Sequence, residues 1–412
     1  MNYKERREKV YSQMEDKSIL VLYSGEALHC SADSYHPFEA NRQFFYLTGI
    51  RRESMALVID RCGEKLEETL FIEPIDPSIE RWVGKKMTTE EAKEVSGVEN
   101  IAMIDSLAST LDRIMNRKLP KKVYFDTYRH QRSDQPDYNV VKAQEFAAGY
   151  PGTAVDNIYP VIASLRMIKD ADEVEVTREA VKITEEALTH VLKTLKPGMM
   201  EYQVQAEFEY KVKSLGADGM AFPTIAGSGI NGTMLHYETN HDVCKDNTLI
   251  LLDLGARVKG YNADITRTYP VSGKFTERQK QFYNIVLKAN RSVVEMAKPG
   301  ITLKDLNDHC KSVLAEGLIE LGIIEKEEEV GKYYMHGVSH HLGIDVHDVT
   351  VPEKAKLEPG MIITDEPGLY IDEEEIGIRI EDDLVITEDG CMVLSEEIVR
   401  TVEEIEAAMK ES

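Results

Sequence analysis

Asp253, Asp264, Glu366 and Glu381 are four carboxylates set in otherwise apolar, strand-like runs. A charge in such a run is costly to bury without a partner. The run 248–255 carries Asp253, and the run 261–268 carries Asp264. The turn-like stretch 256–260 separates them, so the two read as an antiparallel hairpin. With the turn centred between Val258 and Lys259, Asp253 faces Asp264 directly. Their Cβ atoms would then lie roughly 4.5–5.5 Å apart. Carboxylates at that spacing repel each other unless a cation lies between them. A pair of divalent ions about 3.5–4 Å apart fits such a gap.

The segments 361–367 and 377–386 repeat the arrangement, each read as one strand, with Glu366 on one and Glu381 on the other. Arg379 stands two residues before Glu381, hence on the same strand face, and is placed to orient a ligand carboxylate. Between the two hairpins, 335–348 holds His336, His340, His341 and His347, punctuated by Gly337 and Gly343. Neutral imidazole is the commonest nitrogen ligand. Each residue alone is ordinary: a buried strand Asp is usually ion-paired, and a lone His is usually structural. Four carboxylates taken together balance two divalent cations. An oxygen-rich set with one imidazole suits manganese or cobalt, with zinc also compatible.

The rest of the chain must position these groups. Its 412 residues suit two domains, and 42% hydrophobic content is enough for a sizeable interior. Residues 1–165 alternate strand-like runs, such as 18–23 and 54–59, with helical ones, such as 88–95, which is an α/β pattern. A linker is expected at 166–172 and a catalytic domain at 173–412. Long helical runs at 173–196 and 277–298 stop at Pro197-Gly198 and Pro299-Gly300, and an amphipathic helix follows each. The repeated unit hints at an internal duplication. Of the eleven histidines, seven lie between 236 and 347, which places the chemistry in the second domain.

Composition narrows the setting. A net charge of −24 opposes phosphate backbones, so nucleic acid is not an expected partner. No apolar run is long enough to span a bilayer, and the charged first ten residues lack a secretory apolar region. The five cysteines are dispersed without a CxxC pair, which suits a reducing cytoplasm and argues against a thiolate zinc site.

With these residues in view, the chain resembles the creatinase-like metallopeptidases, whose catalytic domain has the α+β pita-bread fold. The resemblance rests on residues 227–237, 253–268, 336–348, 365–370 and 377–382, in that order. Residues 31–49 resemble the N-terminal domain of aminopeptidase P, so the expected activity is that of an Xaa-Pro aminopeptidase, a metallo-aminopeptidase. A prolidase acting on Xaa-Pro dipeptides is the alternative, and a non-catalytic peptide-binding member of the fold is a remote one.

The resemblance implies two bound metal ions, manganese first among them. Asp253 would hold one, Asp264 and Glu381 would bridge both, and His340 and Glu366 would complete one site each. A metal-bridged hydroxide would attack the bond before proline, with Glu366 as proton shuttle. His347 would stabilise the oxyanion, while His236 and His336 would line the proline pocket. His341 stands where relatives carry an aromatic residue, so it is expected to alter a pocket wall without a catalytic role. The N-terminal domain would support a homodimer or homotetramer, with Trp82 reaching an active site. Substrates would be peptides with proline second.

Overall fold

A computed structural model describes residues 1–410. Glu411 and Ser412, at the end of the expected catalytic domain, lie outside the described residues. The chain divides into two compact units, Met1–Arg166 and Met167–Ser412.

The first unit is built on a six-stranded mixed sheet. Its strands run in the order Ile101–Met103, Glu67–Ile72, Ala56–Asp60, Ser18–Tyr23, Lys122–Phe125, Ala154–Asn157. Ser18–Tyr23 pairs antiparallel with Ala56–Asp60 and parallel with Lys122–Phe125. Ile19, Val21, Val58, Phe71 and Phe125 pack with Leu107, Leu111 and Met115 into one core. The helix expected at 88–95 spans Thr89–Ser96. Thr88 and Glu91 close its first turn as a reciprocal capping box.

The second unit carries two helix pairs, Ala171–Thr194 with Glu201–Ser214, and Glu277–Met296 with Leu303–Glu320. The stretch 166–172 is not a free connector. The helix Tyr159–Arg166 reaches its start, Lys169 is buried, and Asp170 caps the helix that follows. Each helix pair turns at its Pro-Gly on a left-handed glycine, Gly198 at φ +90° and Gly300 at φ +92°. Each turn is then tied by one antiparallel bridge, Met200 to Val243 and Thr302 to Lys356. Equivalent junctions in both halves agree with the hint of duplication.

Two double-stranded ribbons run between the helix pairs. In the first, Leu249–Leu254 pairs with Ile265–Pro270, and Ala256–Val258 pairs with Tyr261–Asn262. Its turn centres on Lys259 and Gly260, at φ +49° and +82°. Two consecutive positive φ values make the tight hairpin turn whose twist matches the strands. The expected centre is therefore one residue too early, and Asp253 faces Thr266 rather than Asp264. The error moves each partner by two positions, so Asp253 and Asp264 still share a face.

The second ribbon is not one continuous pair. Ile362–Asp365 pairs with Asp382–Ile386, and Gly368–Ile371 pairs with Ile376–Arg379. The register is the same on both sides of the gap, so Glu366 stands opposite Glu381 inside it. Pro367 has no N–H to continue the ladder.

Candidate metal centre

Asp253 stays paired opposite Thr266, but the ribbons stop pairing at Asp264 and at Glu366 and Glu381, and the backbone groups freed there bond elsewhere. The Asp264 N–H donates to Asp383 Oδ2 at 3.2 Å. The Glu381 N–H donates to Thr266 O at 3.0 Å, and the Glu366 N–H donates to Val338 O at 2.9 Å. In the first ribbon the gap requires Gly255, because a Cβ there would lie 1.8 Å from the Ala263 carbonyl oxygen.

These breaks turn the acidic side chains into one cavity of about 600 Å³. Asp253, Asp264, His340, Glu366 and Glu381 all line it, as do His236, His336, His347 and Arg379. His340 Nε2 lies 3.4 Å from Asp264 Oδ2 and 3.7 Å from Glu366 Oε1. Asp264, His340 and Glu381 each offer an atom within 4.8 Å of the other two, which is a candidate metal-binding group. Asp253 is turned to Arg379, whose Nη2 lies 2.5 Å from Asp253 Oδ2.

The electrostatics fit a cationic occupant. Burial, then the charges of Asp253 and Glu366, push the Asp264 carboxyl well above its usual range. Burial, then Asp264 and Asp253, do the same to Glu381. Burial, then Glu381, raises Glu366 to about 8. Asp253 Oδ1 is buried without a hydrogen-bond partner. Buried acids in mutual repulsion, with an orphaned carboxylate oxygen among them, are what divalent cations relieve. The donor set of four carboxylates and one imidazole fits hard or borderline ions.

Hydrogen bonds separate the four histidines of 335–348. His340 Nδ1–H donates to the His341 carbonyl at 3.0 Å, which leaves Nε2 facing the acids. His336 Nε2 lies 2.8 Å from Tyr370 OH, and its Nδ1 lies 2.8 Å from the Gly337 carbonyl. Tyr370 OH also accepts from Arg379 Nη1 at 2.9 Å, so the tyrosine donates to His336 Nε2. Burial lowers His336 to about 4, and burial followed by His340 lowers His347 to about 4, so both rings stay neutral. His347 stacks on His340 with ring centroids 4.1 Å apart. His236 lies at the exposed rim of the cavity.

His341 departs from expectation. It is buried, bridges to Ile363, and is absent from the cavity lining, so it is no pocket wall. Adjacent residues in an extended pairing point to opposite faces, and His340 takes the face towards the cavity. Two contributors escaped the sequence reading. Thr266 Oγ1 accepts from Arg379 Nε at 3.0 Å and donates to Glu381 Oε2 at 2.6 Å, while Tyr370 joins Arg379 to His336. Both fall inside the motif stretches, but only the pairing register reveals what they touch. Trp82 lies on the helix Pro77–Val83 of the first unit and is 89% exposed.

The family profile for metallopeptidase family M24 matches residues 175–388, and that for the aminopeptidase P N-terminal domain matches residues 3–124. The Xaa-Pro aminopeptidase of Escherichia coli K12 is 33% identical over 99% of this chain and 97% of its own. The chain belongs to the aminopeptidase P branch of metallopeptidase family M24. Human Xaa-Pro aminopeptidase 3 is 31% identical over 95% of this chain and 80% of its own length. E. coli aminopeptidase P solved with the inhibitor Pro-Leu superposes with a TM-score of 0.90 at 33% identity, covering 100% of this chain and 98% of that one. A Bacillus anthracis protein solved as a candidate aminopeptidase P reaches a TM-score of 0.97 at 44% identity, covering 100% and 98%. The M24 fold assigns the second unit to the pita-bread architecture, preceded by the α/β aminopeptidase P domain.

Proposed function

We propose that this M24 member removes the N-terminal residue from peptides whose second residue is proline. The observation that carries the reading is the convergence of Asp264, His340 and Glu381 with Asp253 and Glu366 in one cavity. The relatives named for Xaa-Pro aminopeptidase activity match across both units, which disfavours the prolidase reading.

In this reading Asp253, Asp264, His340, Glu366 and Glu381 hold two divalent ions, with manganese the proposed pair. Bound there, the ions supply an acidified water and polarise the scissile carbonyl. Glu366 takes the proton from the attacking water and passes it to the prolyl nitrogen. Its carboxylate lines the cavity beside His340, where it can take up a proton and pass it on. The prolyl nitrogen is a tertiary amide, so it leaves only once protonated. His347, kept neutral, donates to the oxygen of the scissile carbonyl. His336 and His236 flank the proline ring, with Phe222, Ile225, Leu235 and Val346 as apolar walls. Arg379 and Thr266 hold Asp253 and Glu381 in place.

The protein acts as a homodimer or homotetramer in the cytoplasm. Exposed Ile79, Trp82 and Val83 on one short helix support self-association. The five free cysteines support a reducing compartment. No helix of the described residues is long and apolar enough to cross a membrane.

The decisive experiment strips the metal, restores manganese, cobalt or zinc, and compares an Xaa-Pro-Xaa tripeptide with an Xaa-Pro dipeptide. The proposal expects the tripeptide to be cleaved faster, with loss of the first residue. Faster cleavage of the dipeptide would reinstate the prolidase.

A further inference from the structure

Away from the cavity, Lys169 and Asp348 form an ion pair at 2.9 Å, each side chain 1% exposed. A buried pair is a weak source of stability, since desolvation offsets most of its attraction. Its placement points to another use. Asp348 directly follows His347, and its N–H donates to the His341 carbonyl at 2.8 Å. That same carbonyl accepts Nδ1–H of His340. The acceptor that sets the tautomer of His340 is therefore itself held by the residue that Lys169 holds. Lys169 in turn is fixed by its own N–H, which donates to Gly360 O at 2.8 Å.

The loop is folded tightly around this pair. A Cβ at Gly343 would lie 2.4 Å from Asp348 Oδ2 and 2.9 Å from Lys169 Cε. The near side of the loop is anchored independently, by the Leu342 N–H to Ile362 O at 3.0 Å. The far side, which carries His347, returns to the cavity through Asp348.

We propose that Lys169 is a positioning residue for the cavity histidines: its pair with Asp348 clamps the 340–348 loop, fixing His340 with Nε2 towards the acids and His347 stacked upon it. The inference rests on the metal-dependent reading of the site, and half of its test does not.

The test compares wild type, Lys169→Met and the double variant Lys169→Met/Asp348→Asn. Calorimetry measures Mn2+ affinity, and 15N shifts of the metal-free protein report the His340 tautomer. Lys169→Met should weaken Mn2+ binding by about 10- to 100-fold, the range for outer-sphere partners of metal ligands. It should lower kcat while KM holds, and it should mix the His340 tautomers. The double variant also replaces the buried carboxylate that has lost its lysine, so its melting temperature should recover. Its Mn2+ affinity should stay low, because the Leu342 and Asn262 bonds that remain hold the near side of the loop and not the Asp348 side chain beyond His347. A pair with only a structural role predicts the reverse, with affinity recovering alongside stability. Wild-type affinity and a single His340 tautomer in either folded variant would overturn the proposal. If neither variant folds, Lys169 serves folding rather than positioning, and the inference fails. If the wild type binds no divalent ion, the metal reading fails on its own, and the metal-free tautomers still decide this one.

Discussion

Arg379 Nη2 meets Asp253 Oδ2 at 2.5 Å and so joins the second ribbon to the first. The same guanidinium reaches Thr266 and Tyr370, so one side chain braces an acid, a hydroxyl bonded to a second acid, and the partner of His336. Lysine has the charge but not the fork. Arg379→Lys should therefore keep the fold by circular dichroism yet bind divalent metal about 10- to 100-fold more weakly. Undiminished affinity in that variant would remove the orienting role.

Glu366→Gln preserves shape and the backbone bond from residue 366 to Val338. With metal at saturation it should lower kcat by about 10²- to 10⁴-fold, the usual contribution of a positioned proton carrier. Its melting temperature without metal should not fall, since one buried acid has been neutralised. Near-normal kcat would eliminate the shuttle.

Chelation should make stability depend on pH in a defined sense. Asp264, Glu366 and Glu381 all bind protons more tightly when folded than when unfolded. Their stabilising contribution is full below the ordinary carboxylate range and is lost as pH rises towards about 8, the value for Glu366. The metal-free protein should melt at progressively lower temperature across that window. Added metal should raise the melting temperature most at the alkaline end. At one hundred times Kd the gain is about 2.7 kcal/mol. A metal-free melting temperature that rises with pH would contradict the burial of these acids.

Gly255→Ala tests the break in the first ribbon. The new Cβ would lie 1.8 Å from Ala263 O, so the strands must part or the loop carrying Asp264 must move. We expect a loss of about 3 kcal/mol, the upper end of ordinary overpacking, together with weaker metal binding. Unfolding in urea with and without metal measures both. A neutral substitution would mean that the close approach does not fix Asp264.

Trp82→Ala should change either the oligomer size by light scattering or KM for a proline tripeptide. The residue is 89% exposed and buries nothing within its own unit that would justify a tryptophan there. If both readouts match wild type, Trp82 has no part in assembly or access.

What could be read from the sequence was limited by range. Period-two alternation put Asp253 and Asp264 on one face, and that survived a misplaced turn because the error was an even number of residues. The turn itself depended on left-handed backbone at Lys259 and Gly260, which hydrophobic pattern does not report. The segment 361–367 reads as one strand through Pro367, whose missing N–H helps end the pairing there, and the partners of the redirected amides, Val338 and Thr266, are long-range. Spacing left four histidines equivalent, the family resemblance selected His340, and the hydrogen bonds at Nδ1 give the physical basis for it. Buried Lys169 was read as linker because its partner lies 179 residues away.

The redirected amides at the ribbon breaks also carry a dynamic consequence. In an ordinary ladder an amide is released when its own strand frays. Here the Glu381 N–H is held by the first ribbon and the Asp264 N–H by an aspartate of the second. The Glu381 N–H is released only when the two ribbons part, and the Asp264 N–H when they part or when the Asp383 side chain turns away. Exchange at Glu381 should thus be governed by joint opening of both halves of the second unit rather than by fraying of one strand. The centre is consequently the seam at which two halves become one cooperative body.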